Sequence, residues 1–205
     1  MKQIRILSER KRAAIVEAAI TEFLNKGFQA TSMDGLSARA GVSKRTVYNH
    51  FPSKEALFEE MAKELFDYKT EMTEIAYEPE RTLASQLREL ALNELELLRS
   101  ERFRSLVKVM LAECIRSPEL TAKAVGQMNE HEQEQGLGVW IKAAISDGRL
   151  KNVDASYAAE QFIALIKAHA FWPQLLMGVS SPNEQECQRI VEDAVGMFLS
   201  YYQVD

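Results

Sequence analysis

The chain has 205 residues, of which 46% are hydrophobic, with only nine glycines and five prolines. That composition excludes a disordered or collagen-like chain and leaves enough apolar matter for one large or two modest cores. The net charge of −5 argues against general attraction to nucleic acid, but the charge is unevenly spread. Residues 1–54 hold ten Lys or Arg against four acids, a balance of +6, and the remainder holds 15 against 26, a balance of −11. A basic head on an acidic body confines attraction for a polyanion to one end. The asymmetry supports two domains, 1–53 and 54–205.

Helix formers dominate and no run alternates β-branched with polar residues, so the fold class is all-α, with about nine helices. Cys114 and Cys187 lie far apart in apolar stretches without metal-ligand spacing, as small hydrophobes in a reducing cytoplasm do. No apolar run is long enough to span a bilayer and Met1–Leu7 has no hydrophobic signal core, so a soluble cytoplasmic protein without membrane partners is expected.

Met1–Leu7 is a short arm carrying Lys2 and Arg5, either a tracker of phosphates or a frayed terminus. Ser8–Lys26 has Ala14, Ile15, Ala18, Ala19 and Phe23 at helical spacing, and Gly27 stops the helix. Arg10, Lys11 and Arg12 are a solvated face or DNA-backbone contacts. A helix over 31–40 follows, with Thr31 and Asp34 spaced as a capping box. Gly41-Val42 breaks it, because glycine accepts the left-handed geometry of a sharp turn. The next helix starts near Ser43, turns Val47 and Phe51 inward, exposes Lys44, Arg45, Thr46, Asn49 and His50, and ends at Pro52. Helix, glycine turn and short helix with a polar, basic face make a helix-turn-helix, whose second helix is of a kind that enters a DNA major groove. Ser53 caps a long helix reaching about Ala76, with Leu57, Phe58, Met61, Leu65 and Phe66 on its apolar side. Lys54 at its first position opposes the helix dipole, a placement that makes sense where an anion such as a phosphate docks.

Pro79 opens the next segment, a helix marked by Leu83, Leu87, Leu90, Leu95 and Leu98 and running to about Arg99. Another carries Phe103, Val107, Met110, Leu111 and Cys114 and closes at Ser117-Pro118. Residues 127–135 are almost wholly polar; His131 and Glu134 there have metal-compatible spacing but no third ligand, so no metal is expected. Trp140, Ile141, Ala144 and Ile145 restore the apolar pattern. From Asp154 to Met177 more than half the helix circumference is apolar, including Phe162, Ile166 and Trp172, with Pro173 kinking or ending the helix and setting Phe171 and Trp172 against the body. Ser181-Pro182 starts the last helix, with Cys187, Ile190, Val191, Ala194, Val195, Phe198 and Tyr201 on one side. Two such late helices either seal the body or meet a partner, an identical chain being the simplest.

Gly41-Val42-Ser43-Lys44, Thr46-Val47-Tyr48 and His50-Phe51-Pro52-Ser53-Lys54-Glu55-Ala56-Leu57 resemble the DNA-binding signature of TetR-type transcriptional regulators. The resemblance implies DNA contacts by Ser43, Lys44, Arg45, Thr46, Tyr48, Asn49 and His50, a phosphate contact by Lys54, and further contacts by Thr31 and Ser32. Gly35 departs from the polar helix former usual in the family, at up to about 1 kcal/mol of helix stability. The stretch from Phe171 to Gly178 is similar to the C-terminal domain of AefR-like members. The family also implies a homodimer joined through the last two helices as a four-helix bundle, with Phe162, Ile166, Ile190, Val191, Ala194, Val195, Phe198 and Tyr201 at the seam. It implies repression of a palindromic operator in double-stranded DNA, relieved by a small molecule. Phe66, Phe103, Met110, Trp140, Phe162 and Trp172 would line an apolar effector site, with His169 as its polar group. Catalysis is not expected: the chain has no nucleophile–base pair, no Cys/His cluster and no glycine-rich phosphate loop, and no cofactor is implied. The alternative is a helical-bundle enzyme or partner-binding protein whose first helices only look like a DNA module.

Overall fold

The computed structural model describes residues 2–73, 75–126 and 136–204. The described chain is helical apart from its connections and one isolated antiparallel bridge, Leu150 to Gln203. The helices are α1 (Lys2–Lys26), α2 (Met33–Ala40), α3 (Lys44–His50), α4 (Lys54–Thr73), α5 (Leu83–Arg99), α6 (Glu101–Arg116), α7 (Pro118–Gly126), α8 (Leu137–Ser146), α9 (Ala155–Ala170), α10 (Trp172–Met177) and α11 (Glu184–Tyr202). These are more than the nine expected, because Pro118 starts a separate α7 and Phe171 breaks the late helix into α9 and α10. His131 and Glu134 lie outside the described residues.

The chain divides into two compact units, Met1–Phe66 with Ser105–Met128, and Asp67–Arg104 with Asn129–Asp205. The division falls inside α4 and inside α6, so each of these helices is covalently part of both.

In the first unit α1, α2 and α3 pack on one another around Ile15, Ala19, Phe23, Leu36, Val47 and Phe51. Phe28 closes this core, its ring 5.2 Å from that of Phe23 and 5.8 Å from that of Phe58 on α4. The start of α2 differs from expectation. Its cap is Ser32, whose hydroxyl accepts the N–H of Gly35 at 3.1 Å. Thr31, only 3% exposed, turns its hydroxyl back to the Gly27 carbonyl at 2.9 Å. Ser32 has the extended backbone a capping residue needs (φ −111°, ψ 149°), while the Thr31 hydroxyl is already engaged. At the other end Gly41 (φ 65°) and Val42 donate their N–H groups to Ala38 and Ser37, closing a left-handed cap before α3.

In the second unit α9 packs against α5, α8, α10 and α11, and α11 also packs against α5. Phe162, Ile166, Val191, Ala194, Val195 and Phe198 are buried there, the Phe162 and Phe198 rings meeting edge-on at 5.3 Å. Those six of the eight residues expected at a dimer seam pack into the chain's own core. Of the eight named, only half-buried Ile190 and Tyr201, which is 66% exposed, keep free surface. Gln86 is the polar node of this unit. Its amide donates to the Glu78 and Arg81 carbonyls and accepts from Glu78 N–H and from Trp140 Nε1 at 3.0 Å, leaving no polar atom of that buried group unmatched.

Candidate nucleic-acid interface

Ser43 begins α3 by accepting the N–H of Thr46 at 3.1 Å, and its hydroxyl also meets the Thr46 hydroxyl at 2.8 Å. Val47, 0% exposed, and Phe51 anchor the helix to the head. With one face fixed, the helix turns Lys44, Arg45, Tyr48 and Asn49 to solvent, with Thr46 and His50 half-buried at the edges. Two cations and several hydrogen-bonding groups without an acid on a seven-residue helix suit phosphates and base edges together.

Charged pairs link the helices around this motif. Lys44 Nζ donates to Asp34 Oδ2 at 2.5 Å, an exposed pair from α3 to α2. Buried Glu22 on α1 takes Arg39 of α2 at 2.5 Å and Lys26 at 2.6 Å. Hydrogen bonds from Lys26 and then Arg39 hold the Glu22 carboxyl below the usual carboxylate range. Arg12 pairs with Glu60 of α4 at 2.5 Å and lies 4.9 Å over the Phe51 ring, so this cation locks α1 to α4 across the end of α3. The Arg12 bond is also the largest cause that lowers the Glu60 carboxyl.

Lys54 turns inward. Its ammonium donates to the carbonyls of Phe28 at 2.8 Å and Gln29 at 3.1 Å and sits 4.8 Å over the Phe28 ring. An ammonium has three N–H donors, so one remains for an anion. Ser32 and Ser43 are exposed at the starts of α2 and α3, while Thr31 is a buried turn residue with its hydroxyl already engaged.

The residues expected around an effector are divided between the two units. Phe66 and Met110 belong to the first unit, and the others to the second. Trp140 and Phe162 are core residues, Phe103 lies 6.0 Å from Phe171, and Trp172 is 42% exposed instead of lying against the body. His169 is exposed and lines a groove of about 510 Å³ with Leu165, Pro173, Gln174, Ile190 and Met197. Among the described residues no group of three or more His, Cys, Asp or Glu lies close enough to hold a metal ion, and no helix is long and apolar enough to cross a membrane.

Glu22 and Glu113 escaped the sequence reading. Each is a carboxylate on the buried stripe of its helix, Glu22 among Ile15, Ala18, Ala19 and Phe23, and Glu113 after Leu106, Val109 and Met110. An acid on such a stripe is the signal that finds them.

Residues 15–61 match the model of bacterial regulatory proteins of the tetR family, and residues 85–204 match that of the AefR-like transcriptional repressor C-terminal domain. A TetR family transcriptional regulator from Pseudomonas syringae pv. tomato str. DC3000 is 44% identical, with 95% of this chain and 97% of that one covered and a TM-score of 0.85. The flavonoid-responsive regulator FrrA is 27% identical over 95% of this chain and 98% of that one, with a TM-score of 0.70. The biofilm operon icaADBC HTH-type negative transcriptional regulator IcaR of Staphylococcus aureus (strain Newman) is 37% identical over 54 residues, 26% of this chain. That match spans only 29% of IcaR, so the likeness is to its corresponding segment.

Proposed function

Because the chain belongs to the TetR family of transcriptional repressors, we propose that it acts in the cytoplasm as a homodimer on a palindromic operator in double-stranded DNA and lets go when a small, mostly apolar molecule binds. The observation that carries this reading is the outward face of α3, basic and hydrogen-bonding, on a helix whose other face is sealed by Val47 and Phe51. Residues 1–53 are its DNA-binding part, and the rest supplies dimerisation and effector response.

Arg45, Tyr48, Asn49 and His50 read base edges, Lys44 and Thr46 flank them, and Ser32, Ser43 and the free donor of Lys54 take phosphates. Lys44 must share its charge between Asp34 and the DNA. Thr31 is set aside, because its hydroxyl already serves the Gly27 carbonyl.

The dimer is supported by what the second unit leaves uncovered. Tyr157 on α9, Leu176 and Met177 on α10, and Met197 and Tyr201 on α11 are exposed large apolar side chains, more than a solitary subunit ordinarily presents. Effector response is supported by the likeness to FrrA, whose name describes a flavonoid-responsive regulator.

The deciding experiment is capture and sequencing of genomic DNA by the purified protein, followed by binding of the recovered fragment across a salt series. A palindromic consensus and a steep loss of affinity with salt are expected. Recovery of random fragments with no consensus sinks the operator reading.

A further inference from the structure

The turn from Gly27 to Gln29, between α1 and α2, is gripped on both sides by helices that continue into the second unit. From α6, the Glu113 Oε1 accepts the backbone N–H of Phe28 at 3.3 Å. From α4, the Lys54 ammonium takes the carbonyl of the same residue at 2.8 Å. The Arg116 guanidinium, one turn beyond Glu113 and 3.6 Å from its Oε1, lies so close to Gly27 that a Cβ built there would stand 2.5 Å from Nη1. Gly27 also has φ 81°, a left-handed conformation that favours glycine.

Glu113 is 2% exposed, and its Oε2 is buried with no hydrogen-bond partner. A half-matched carboxylate inside a protein opposes folding and calls for a reason beyond stability. An apolar residue would pack the same place at less cost, but it could not hold a backbone N–H.

We propose that Glu113 is a positioning residue for DNA reading, holding the Phe28 peptide so that α2 and α3 leave the turn at the angle the operator requires. The inference rests on the DNA-binding reading above. Its physical content is that one α6 side chain fixes the only covalent lead from α1 into the two motif helices. The bond therefore acts on the direction in which α3 is presented, and no group that touches DNA changes when it is lost.

The test compares the wild type with Glu113→Leu, which removes the acceptor, and Glu113→Gln, whose amide oxygen keeps it. With the captured operator fragment, Glu113→Leu should bind about tenfold more weakly. Its affinity for random-sequence DNA and its salt slope should stay at wild-type values, because no phosphate contact has gone. Glu113→Gln should recover most of the selective affinity. Hydrogen exchange on the wild-type protein provides a reading that needs no variant to fold: the Phe28 amide should be protected while Ala30, an exposed residue of the same turn, exchanges fast.

Equal operator affinity for wild type and Glu113→Leu overturns the proposal, as does a Gln variant as impaired as the Leu one. A parallel fall in selective and random binding overturns it too, since that is general loss of the head. An unprotected Phe28 amide overturns it at the outset. If the wild type itself selects no DNA, the DNA-binding reading falls and takes this inference with it; if it does select DNA and only the Glu113 results fail, the joint alone is wrong.

Discussion

Lys54 shows how one side chain can serve the fold and the ligand together. Two of its donors cap carbonyls in the turn before α2, which leaves the first turn of α4 with a fixed positive charge facing one remaining direction. Lys54→Ala should therefore do two separable things. Losing two charge-assisted bonds should lower the thermal stability of the head by about 1–2 kcal/mol. Losing the third donor should reduce the salt slope of DNA binding by about one unit per protomer, about equally on every sequence. Unfolding curves and salt titrations read the two effects independently, and an unchanged slope removes Lys54 from the phosphate contacts. Arg45 and Asn49 are exposed on α3, and among the described residues no hydrogen bond holds the head together through either side chain. Arg45→Ala or Asn49→Ala should leave melting unaltered and cost about 1–3 kcal/mol, only on the correct operator. Equal weakening on random DNA would move that residue from reading to positioning.

At the scale of elements, the contact between α1 and α2 depends on Glu22, a buried acid between Lys26 and Arg39. Because these partners lower its carboxyl in the folded head, the stability it supplies is present above the ordinary glutamate value of about 4.3 and is lost as pH falls through the lowered value. Glu22→Gln should melt below the wild type at pH 7, and the gap should narrow as the pH is taken below about 4. A gap that holds constant with pH would show that the glutamate acts by packing alone. The same elements show what sequence can and cannot disclose. Gly41, Val47, Phe51 and Pro52 are legible because each acts locally, through a dihedral, a helical period or a missing donor. Thr31 and Ser32 are both good caps in the sequence, and only the path of the backbone after Gly27 decides which hydroxyl faces α2. Glu113 and Phe28 lie 85 positions apart, and no spacing rule spans such a bond.

For the whole molecule, the sequence shows an apolar stripe on each late helix that either seals the body or meets a partner, and the family resemblance implies the partner. The structure spends those stripes on α5 and on each other, because an all-helical unit must first bury the widest apolar face of each helix. Phe198, 2% exposed, and Val191 are therefore poor tests of association. Phe198→Glu places an unpartnered carboxylate in the core and should unfold the second unit, at a cost of several kcal/mol. A second copy, as proposed above, would meet the face left over. On α11, Met197 and Tyr201 are one turn apart, 58% and 66% exposed. On α9, Tyr157, Gln161, Ala164 and Ala168 are exposed at helical spacing without a charge among them. Small and uncharged side chains let helices of two copies approach closely, and two aromatics give the contact area a dimer needs. A Met197→Glu, Tyr201→Glu pair should therefore keep its helical circular dichroism and its melting cooperativity while light scattering falls to the mass of one chain. Affinity for the palindromic fragment should drop to that of a half-site, because the second head no longer arrives already tethered to the first. A folded double variant that still scatters as a dimer would place the seam on another face of the second unit, with Leu176 and Met177 the next residues to change.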